Sequence, residues 1–283
     1  MDDTHADEQK RVLKLGLGIF LVLAAVGAVL YIAVFKKPAS APAPAKAVEE
    51  TAKPPAAGTA AATEGGEPLV LPPVGLDQSD PVVREYAGAI SSSLRFGQWL
   101  GSKELVRKFV AAVDNIANGL SPKPQADFWA PEGQFRVVNK PAGTFIDESI
   151  YSRYDPAAEV FASLDARAAV RFYRGLRRLI QEAYRELGYP DTDFSDTLVK
   201  AMAELLETPV VEKPVKVEKK ILSYVMADES LESLSRAQKQ LLRMGPKNVR
   251  LIQGKIRELA AALGIPEDKL PRTRVISASG ARP

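Results

Sequence analysis

The feature that most constrains this chain is an apolar run near its N-terminus that is long enough to cross a membrane. From Leu15 to Phe35 the chain reads LGLGIFLVLAAVGAVLYIAVF, 21 residues without a charged side chain. A helix of about 20 such residues spans the hydrocarbon core of a bilayer. A cleaved signal peptide is the alternative, since Ala39-Ser40-Ala41 resembles a cleavage site. The apolar region of a typical signal peptide, however, has only about 7–15 residues, fewer than the run in this chain. We therefore predict an uncleaved single-pass signal anchor.

Basic residues beside this run set the expected orientation. Lys10, Arg11 and Lys14 precede the run, and Lys36 and Lys37 follow it. Three cations in a short N-terminal tail favour a cytoplasmic N-terminus, which places the large C-terminal domain on the other side of the membrane.

The segment after the anchor has the composition of a linker. Residues 38–73 contain 8 prolines and 11 alanines, with few large apolar side chains to offset the entropy of an ordered chain. Such a segment serves either as a passive tether or as a spacer that lets the domain reach a distant partner. We therefore expect five segments. They are a short cytoplasmic tail (1–14), a transmembrane helix (15–35), a disordered Pro/Ala-rich linker (36–76), a helical soluble domain (77–264) and a flexible tail (265–283).

Helical spacing and end signals predict a mainly α domain. The best-marked helix runs from Asp165 to Leu187 and ends before a glycine, and its predicted buried face is Tyr173, Leu176, Ile180, Tyr184 and Leu187. Residues 121–148 are rich in proline and glycine and contain FRVV and TFID around a turn, which predicts a small hairpin. Residues 210–226 are expected to be extended or loosely stranded. The predicted fold class is thus mainly α, with at most a small β-hairpin.

Two residue types are missing from the predicted domain, which excludes many kinds of active site. The chain has no cysteine, and its one histidine, His5, precedes the predicted anchor. The domain therefore has no thiolate nucleophile, no Ser-His-Asp triad and no Cys or His metal ligand, and we expect no metal and no cofactor. An enzyme here would depend on carboxylates such as Glu182, Glu186 or Glu204, as in glycan cleavage.

Arginines on the long predicted helix are the first candidates for partner binding. Arg167, Arg171, Arg174 and Arg178 recur at spacings of four, three and four residues, which aligns them on one side of the helix. Such a stripe suits an anionic polymer or lipid head group. Glu182 continues the same side, so a solvated or internally paired face is the alternative.

The C-terminal region supplies the second basic cluster. Residues 77–212 carry 16 basic and 20 acidic side chains, whereas residues 213–283 carry 15 and 7. Lys247, Arg250 and Arg257 fall within about 80° around the last predicted helix, at about 100° per residue. They follow the motif Gly-Pro-Lys-Asn at 245–248, which suits either a phosphate-binding helix-hairpin-helix or a plain corner between two helices. Binding of nucleic acid would require a cytoplasmic domain.

Two other features carry competing interpretations. Asp191, Asp193 and Asp196 resemble the start of a calcium loop, but the glycine and glutamate that such a loop needs are missing, which favours helix capping. Trp129 lies in the longest predicted loop, where it either anchors a partner or packs onto the helices.

Four segments carry a resemblance to a known family: RKFVAAVDNIANG, YSRYDP, AYRELGYPDTDFSDTL and LSRAQKQLLRMGPKNVRLIQGKIRELAAALG. Over most of residues 70–264 the chain resembles an uncharacterised bacterial, membrane-anchored family known as DUF family 3014. The resemblance implies a proteobacterial source, an N-terminal anchor and a Pro/Ala-rich linker. It implies no catalytic or binding residues.

These observations lead to a ranked set of hypotheses. The first is a non-enzymatic protein of the bacterial inner membrane, whose periplasmic helical domain binds a protein or an anionic envelope component. The alternatives are a carboxylate-dependent enzyme that acts on peptidoglycan, and a nucleic-acid-binding protein if the domain is cytoplasmic.

Overall fold

A computed structural model describes residues 69–122, 133–221 and 223–277 of the chain. The predicted tail and anchor, the predicted linker up to residue 68, and Trp129 lie outside these ranges. Within them, no helix combines the length and the apolar character that crossing a membrane requires. The described part is mainly helical with small β elements, which confirms this part of the predicted fold class.

Helices form most of the described structure. They are α1 (Asp80–Ala87), α2 (Leu94–Trp99), α3 (Leu105–Ala117), α4 (Asp155–Ala162), α5 (Ala166–Glu186), α6 (Phe194–Leu206), α7 (Glu229–Glu232), α8 (Arg236–Leu242) and α9 (Pro246–Leu263). Shorter 3-10 turns lie at Leu76–Gln78, Glu148–Tyr154 and Glu267–Lys269. Helices α5 and α6 pack against each other, α3 and α9 each pack against both of them, and the four helices enclose most of the apolar core.

The central helix, α5, begins and ends close to where its sequence predicts. Asp165 caps its first turn by accepting a hydrogen bond of 2.6 Å from the backbone N–H of Ala168. Leu176, Ile180 and Tyr184 are buried, as predicted. Leu187, which was predicted to be buried, is 45% exposed because the helix ends at Glu186 and the chain turns away.

The strands are short and form three two-stranded sheets. The predicted hairpin is confirmed as β1 (Val137–Lys140) paired with β2 (Gly143–Ile146). A second hairpin pairs β4 (Val217–Lys219) with β5 (Tyr224–Met226), and β3 (Val210–Val211) pairs in parallel with β6 (Val275–Ile276). The prediction of at most one small hairpin is therefore wrong, because strands of two or three residues are too short to show an alternating pattern.

The folded domain is longer at both ends than the predicted range of 77–264. At its start, Leu69, Leu71 and Val74 pack against the helical core, and Leu76 is only 6% exposed. At its end, Leu270 is buried and the β6 strand pairs with β3. The assignment of residues 69–76 to a linker and of residues 265–277 to a flexible tail is thus corrected. Single aliphatic residues among prolines carry no periodic signal, which is why the sequence did not reveal these contacts.

Residues 69–78, which we call the strap, cross the surface of α5 at Gly175. The backbone N–H of Leu69 donates to the carbonyl of Arg171 at 3.3 Å. A Cβ atom on Gly175 would lie 2.5 Å from the carbonyl oxygen of Leu69, closer than atoms in real structures approach. Only glycine therefore allows the strap to lie this close to the helix.

Ionic contacts fasten the other end of the strap. Arg107 of α3 pairs with Asp77 of the strap and with Glu186 of α5, each at 2.6 Å. The Arg178 guanidinium donates to the carbonyl of Val74. The residues that join the linker to the domain are thus held against α3 and α5.

Candidate functional site

The four arginines predicted to form a stripe all lie on α5, but their environments differ. Arg178 is held by the Val74 carbonyl and pairs with Glu182 at 3.4 Å. Arg174 is half-buried. Arg167 and Arg171 are exposed, and within the described ranges neither guanidinium forms an ion pair. Among the described residues, Arg167 and Arg171 are thus exposed without an ion pair, whereas Arg178 holds the strap.

Arg185 is a further member of this surface that the sequence interpretation missed. It lies 18 residues after Arg167, which is five helical turns, so the two side chains leave the helix in the same direction. Arg185 is exposed and, among the residues that the structure describes, has no ion-pair partner. The spacing of 18 residues contains this signal, but the intervening Glu182 interrupts the run of arginines in the sequence. We call Arg167, Arg171 and Arg185 the arginine face.

The basic residues of α9 are all engaged in ion pairs within the domain. Lys247 pairs with Asp155 at 2.8 Å, Arg250 with Glu212, and Arg257 with Glu267. The hydrogen bond from Arg250 lowers the pKa of Glu212 below its ordinary value. These pairs attach α4, the residue after β3 and the C-terminal segment to α9, so the positive charge on this helix is offset by neighbouring carboxylates.

The corner before α9 is packed into the domain. Gly245 has a φ of 84° and is buried, and a Cβ atom there would lie 2.5 Å from the ring of Tyr151. Asn248 is 1% exposed and donates to Asp155 Oδ1 at 2.8 Å and to the carbonyl of Met244 at 2.9 Å. Because the corner faces Tyr151, these contacts favour a structural corner over a phosphate-binding hairpin.

Asp193 has the capping role that the sequence predicts. It accepts hydrogen bonds from the hydroxyl and the backbone N–H of Ser195 at the start of α6, and from Arg177 at 2.7 Å. These bonds, those from Ser195 first, lower the pKa of Asp193 to about 2. Across residues 69–122, 133–221 and 223–277, no group of three or more His, Cys, Asp or Glu side chains is arranged to hold a metal ion.

The carboxylates considered for glycan cleavage stand in different surroundings. Glu182 pairs with Arg178, and the hydrogen bond from Arg107 lowers the pKa of Glu186. Glu204 is half-buried, and its Oε1 atom makes no hydrogen bond. A general acid at neutral pH requires a raised pKa, which is opposite to the shift at Glu186.

An open cavity of about 310 Å³ lies beside the first hairpin. It is lined by Val138, Lys140, Ile146, Asp147, Glu148 and Ser149. Asp147 caps the following 3-10 turn, and its hydrogen bonds with Ser149 lower its pKa. Asp147 is therefore a hydrogen-bond acceptor that stabilises this turn, and a carboxylate with a lowered pKa is poorly suited to donate a proton.

Comparison with known proteins gives one match. The model of a family described as "Protein of unknown function (DUF3014)" matches residues 105–260, which include α5, both hairpins and nearly all of α9. No curated protein and no solved structure matches the chain.

Proposed function

This chain belongs to the family of proteins of unknown function DUF3014, and on that premise we propose that it is a membrane-tethered binding protein without enzymatic activity. In this proposal residues 15–35 anchor it in the inner membrane of a bacterium, with a cytoplasmic N-terminus and a periplasmic domain. The domain binds an acidic protein surface of the cell envelope through the arginine face. The absence of cysteine, and of histidine after residue 5, supports a binding role.

The observation that carries this proposal is the contrast between two sets of basic residues. The α9 cations each have a carboxylate partner, whereas Arg167, Arg171 and Arg185 are exposed and have no ion pair with another described residue. The three guanidiniums extend along about 27 Å of helix, at about 1.5 Å per residue. Guanidinium groups bind carboxylates through paired hydrogen bonds and are frequent in protein interfaces. The arginine face is therefore suited to an elongated acidic surface.

The position of the strap supports the same proposal. The chain enters the domain at Leu69, whose N–H is bound to the carbonyl of Arg171 in the middle of α5. The linker therefore joins the domain beside the arginine face. A partner that binds this face would lie close to the tether.

Photo-crosslinking in cells tests this function on the full chain. In the test variant a photo-reactive residue replaces Arg185, so that Arg167 and Arg171 remain. In the control variant the same photo-reactive residue replaces Lys200, an exposed residue of α6. We expect one acidic protein to be captured at position 185 and not at position 200. Arg167→Gln with Arg171→Gln in the same chain is expected to reduce that adduct at least fivefold.

Two results would contradict the proposal. One is capture of the same proteins at both positions, which indicates collision without a specific surface. The other is an adduct at position 185 that persists after both arginines are neutralised, since charge recognition then plays no part.

A further inference from the structure

The tip of the second hairpin exposes an aliphatic side chain almost completely. Ile221 is 97% exposed, more than any other large hydrophobic residue in the described ranges. It lies in the turn between β4 and β5, which is closed by a hydrogen bond of 2.7 Å from the N–H of Lys220 to the carbonyl of Ser223. The Ile221 side chain therefore extends from this turn into solvent.

Lysines lie beside this exposed aliphatic side chain. Lys219 and Lys220 directly precede Ile221 and are both exposed, and Lys216 is exposed just before β4. The nearby carboxylate is Glu218, which is 3.8 Å from Lys220 with both side chains more than half exposed. A pair so exposed contributes little, so the tip keeps a net positive charge.

The base of the hairpin is fixed to the domain. Val217 and Met226 are 4% and 5% exposed and belong to the apolar cluster shared with the first hairpin. The N–H of Ile146 donates to the carbonyl of Val215 at 2.9 Å, and Glu232 accepts from the N–H of Met226 at 2.8 Å. The strands that carry this turn are therefore held against the domain.

We propose that this hairpin tip docks on an anionic lipid bilayer, with Ile221 in the headgroup region and Lys219 and Lys220 against the lipid phosphates. An exposed aliphatic side chain directly after two lysines suits the headgroup region and anionic surface of a membrane. Each lysine near such a surface contributes about fivefold to partitioning. The inference rests on the proposed anchor only for proximity, since a tether keeps the domain near the bilayer at a roughly millimolar effective concentration.

The absence of cysteine makes the test direct. In the full chain, Ser223→Cys labelled with an environment-sensitive fluorophore reports on the apex and retains Ile221. The chain is placed in nanodiscs of neutral phosphatidylcholine or of phosphatidylcholine with phosphatidylglycerol, and free vesicles of the same lipids are titrated in parallel. A label at Lys200→Cys serves as the positional control.

We expect a blue shift of the Ser223 label with anionic lipid and none with neutral lipid or at position 200. Lys219→Gln with Lys220→Gln is expected to weaken vesicle binding about 20-fold, and Ile221→Ser about tenfold. The matched controls Lys200→Gln and Leu94→Ser change an exposed lysine and an exposed aliphatic elsewhere, and they should leave binding unchanged.

Different results contradict the proposed anchor and the proposed docking of the tip. Failure of the chain to co-purify with nanodiscs contradicts the anchor, while the vesicle titration still decides the tip. An unchanged Ser223 label in both nanodiscs and anionic vesicles overturns the docking proposal. A shift that occurs equally with neutral lipid, or that survives loss of both lysines, overturns it as well, and a shift only on addition of a protein fraction points to a protein groove.

Discussion

Gly175→Ala has two opposing effects on stability: alanine has the higher helix propensity, but its methyl group collides with the strap. Gly175 lies in the interior of α5, where replacement of glycine by alanine normally stabilises a helix by about 1 kcal/mol. Here the new methyl group would lie 2.5 Å from the carbonyl oxygen of Leu69. The backbone of the strap must move, because that oxygen cannot rotate away as a side chain would.

The cost of that movement follows from the contacts that are lost. The hydrogen bond from Leu69 to the carbonyl of Arg171 contributes about 1 kcal/mol. Leu69 and Leu71 are half-buried, and loss of their contacts costs about 1 kcal/mol each, given about 1.5–3 kcal/mol for full burial of a leucine. Subtracting the gain of about 1 kcal/mol in helix propensity leaves a net destabilisation of about 2 kcal/mol.

Urea unfolding followed by circular dichroism measures this difference, and Gly254→Ala is the matched control. Gly254 lies in the interior of α9, and a Cβ atom there meets nothing within 4 Å, so this variant should be stabilised by up to about 1 kcal/mol. Hydrogen exchange should be faster over residues 69–78 in Gly175→Ala alone. Equal stabilisation of the two variants would refute the close approach of the strap to α5.

Three further changes test other contacts. Gln253→Leu leaves three carbonyls at the end of α6 without their shared donor, and urea unfolding should show a loss of about 1–3 kcal/mol; an unchanged midpoint would refute this capping role. Gly245→Ala combines a positive φ with contact against the Tyr151 ring, so it should cost at least about 2 kcal/mol, and wild-type thermal stability would contradict it. Asp193→Ala should cost about 1 kcal/mol at pH 7 and Asp191→Ala almost nothing. Because the folded-state pKa of Asp193 is lowered to about 2, its contribution is complete above about pH 4 and is lost as the pH falls towards 2; a cost that does not diminish below pH 4 would contradict the ionised cap.

Local signals in the sequence predicted the helices well. Asp165 and Asp193 mark the starts of α5 and α6, and Gly264 ends α9 in the left-handed conformation. These signals are reliable because a capping side chain acts on N–H groups within three residues of itself. The predicted hairpin at 121–148 was found for a similar reason, since its turn and both strands lie within ten residues.

Contacts between distant segments could not be predicted in this way. Arg250 and Glu212 are 38 residues apart, and Arg107 and Glu186 are 79 residues apart, so neither pair has a spacing that reveals it. The basic character of α9 therefore looked like a binding surface when its charges were already paired within the domain. The strap was missed because its attachment depends on Gly175, a position whose importance appears only when the approaching backbone is known.

The salt dependence of partner binding is the sharpest test of charge recognition by the arginine face. With the partner captured at position 185, the Kd of the purified full chain is measured at low and high ionic strength for wild type and for Arg167→Gln, Arg171→Gln and Arg185→Gln combined. We expect wild-type affinity to fall with added salt, and the triple variant to bind at least tenfold more weakly with a smaller salt effect. Arg95→Gln, Lys103→Gln and Lys200→Gln combined remove the same charge at exposed positions elsewhere and should bind as wild type does. Equal loss in both triple variants, or no loss in either, would contradict a specific arginine face.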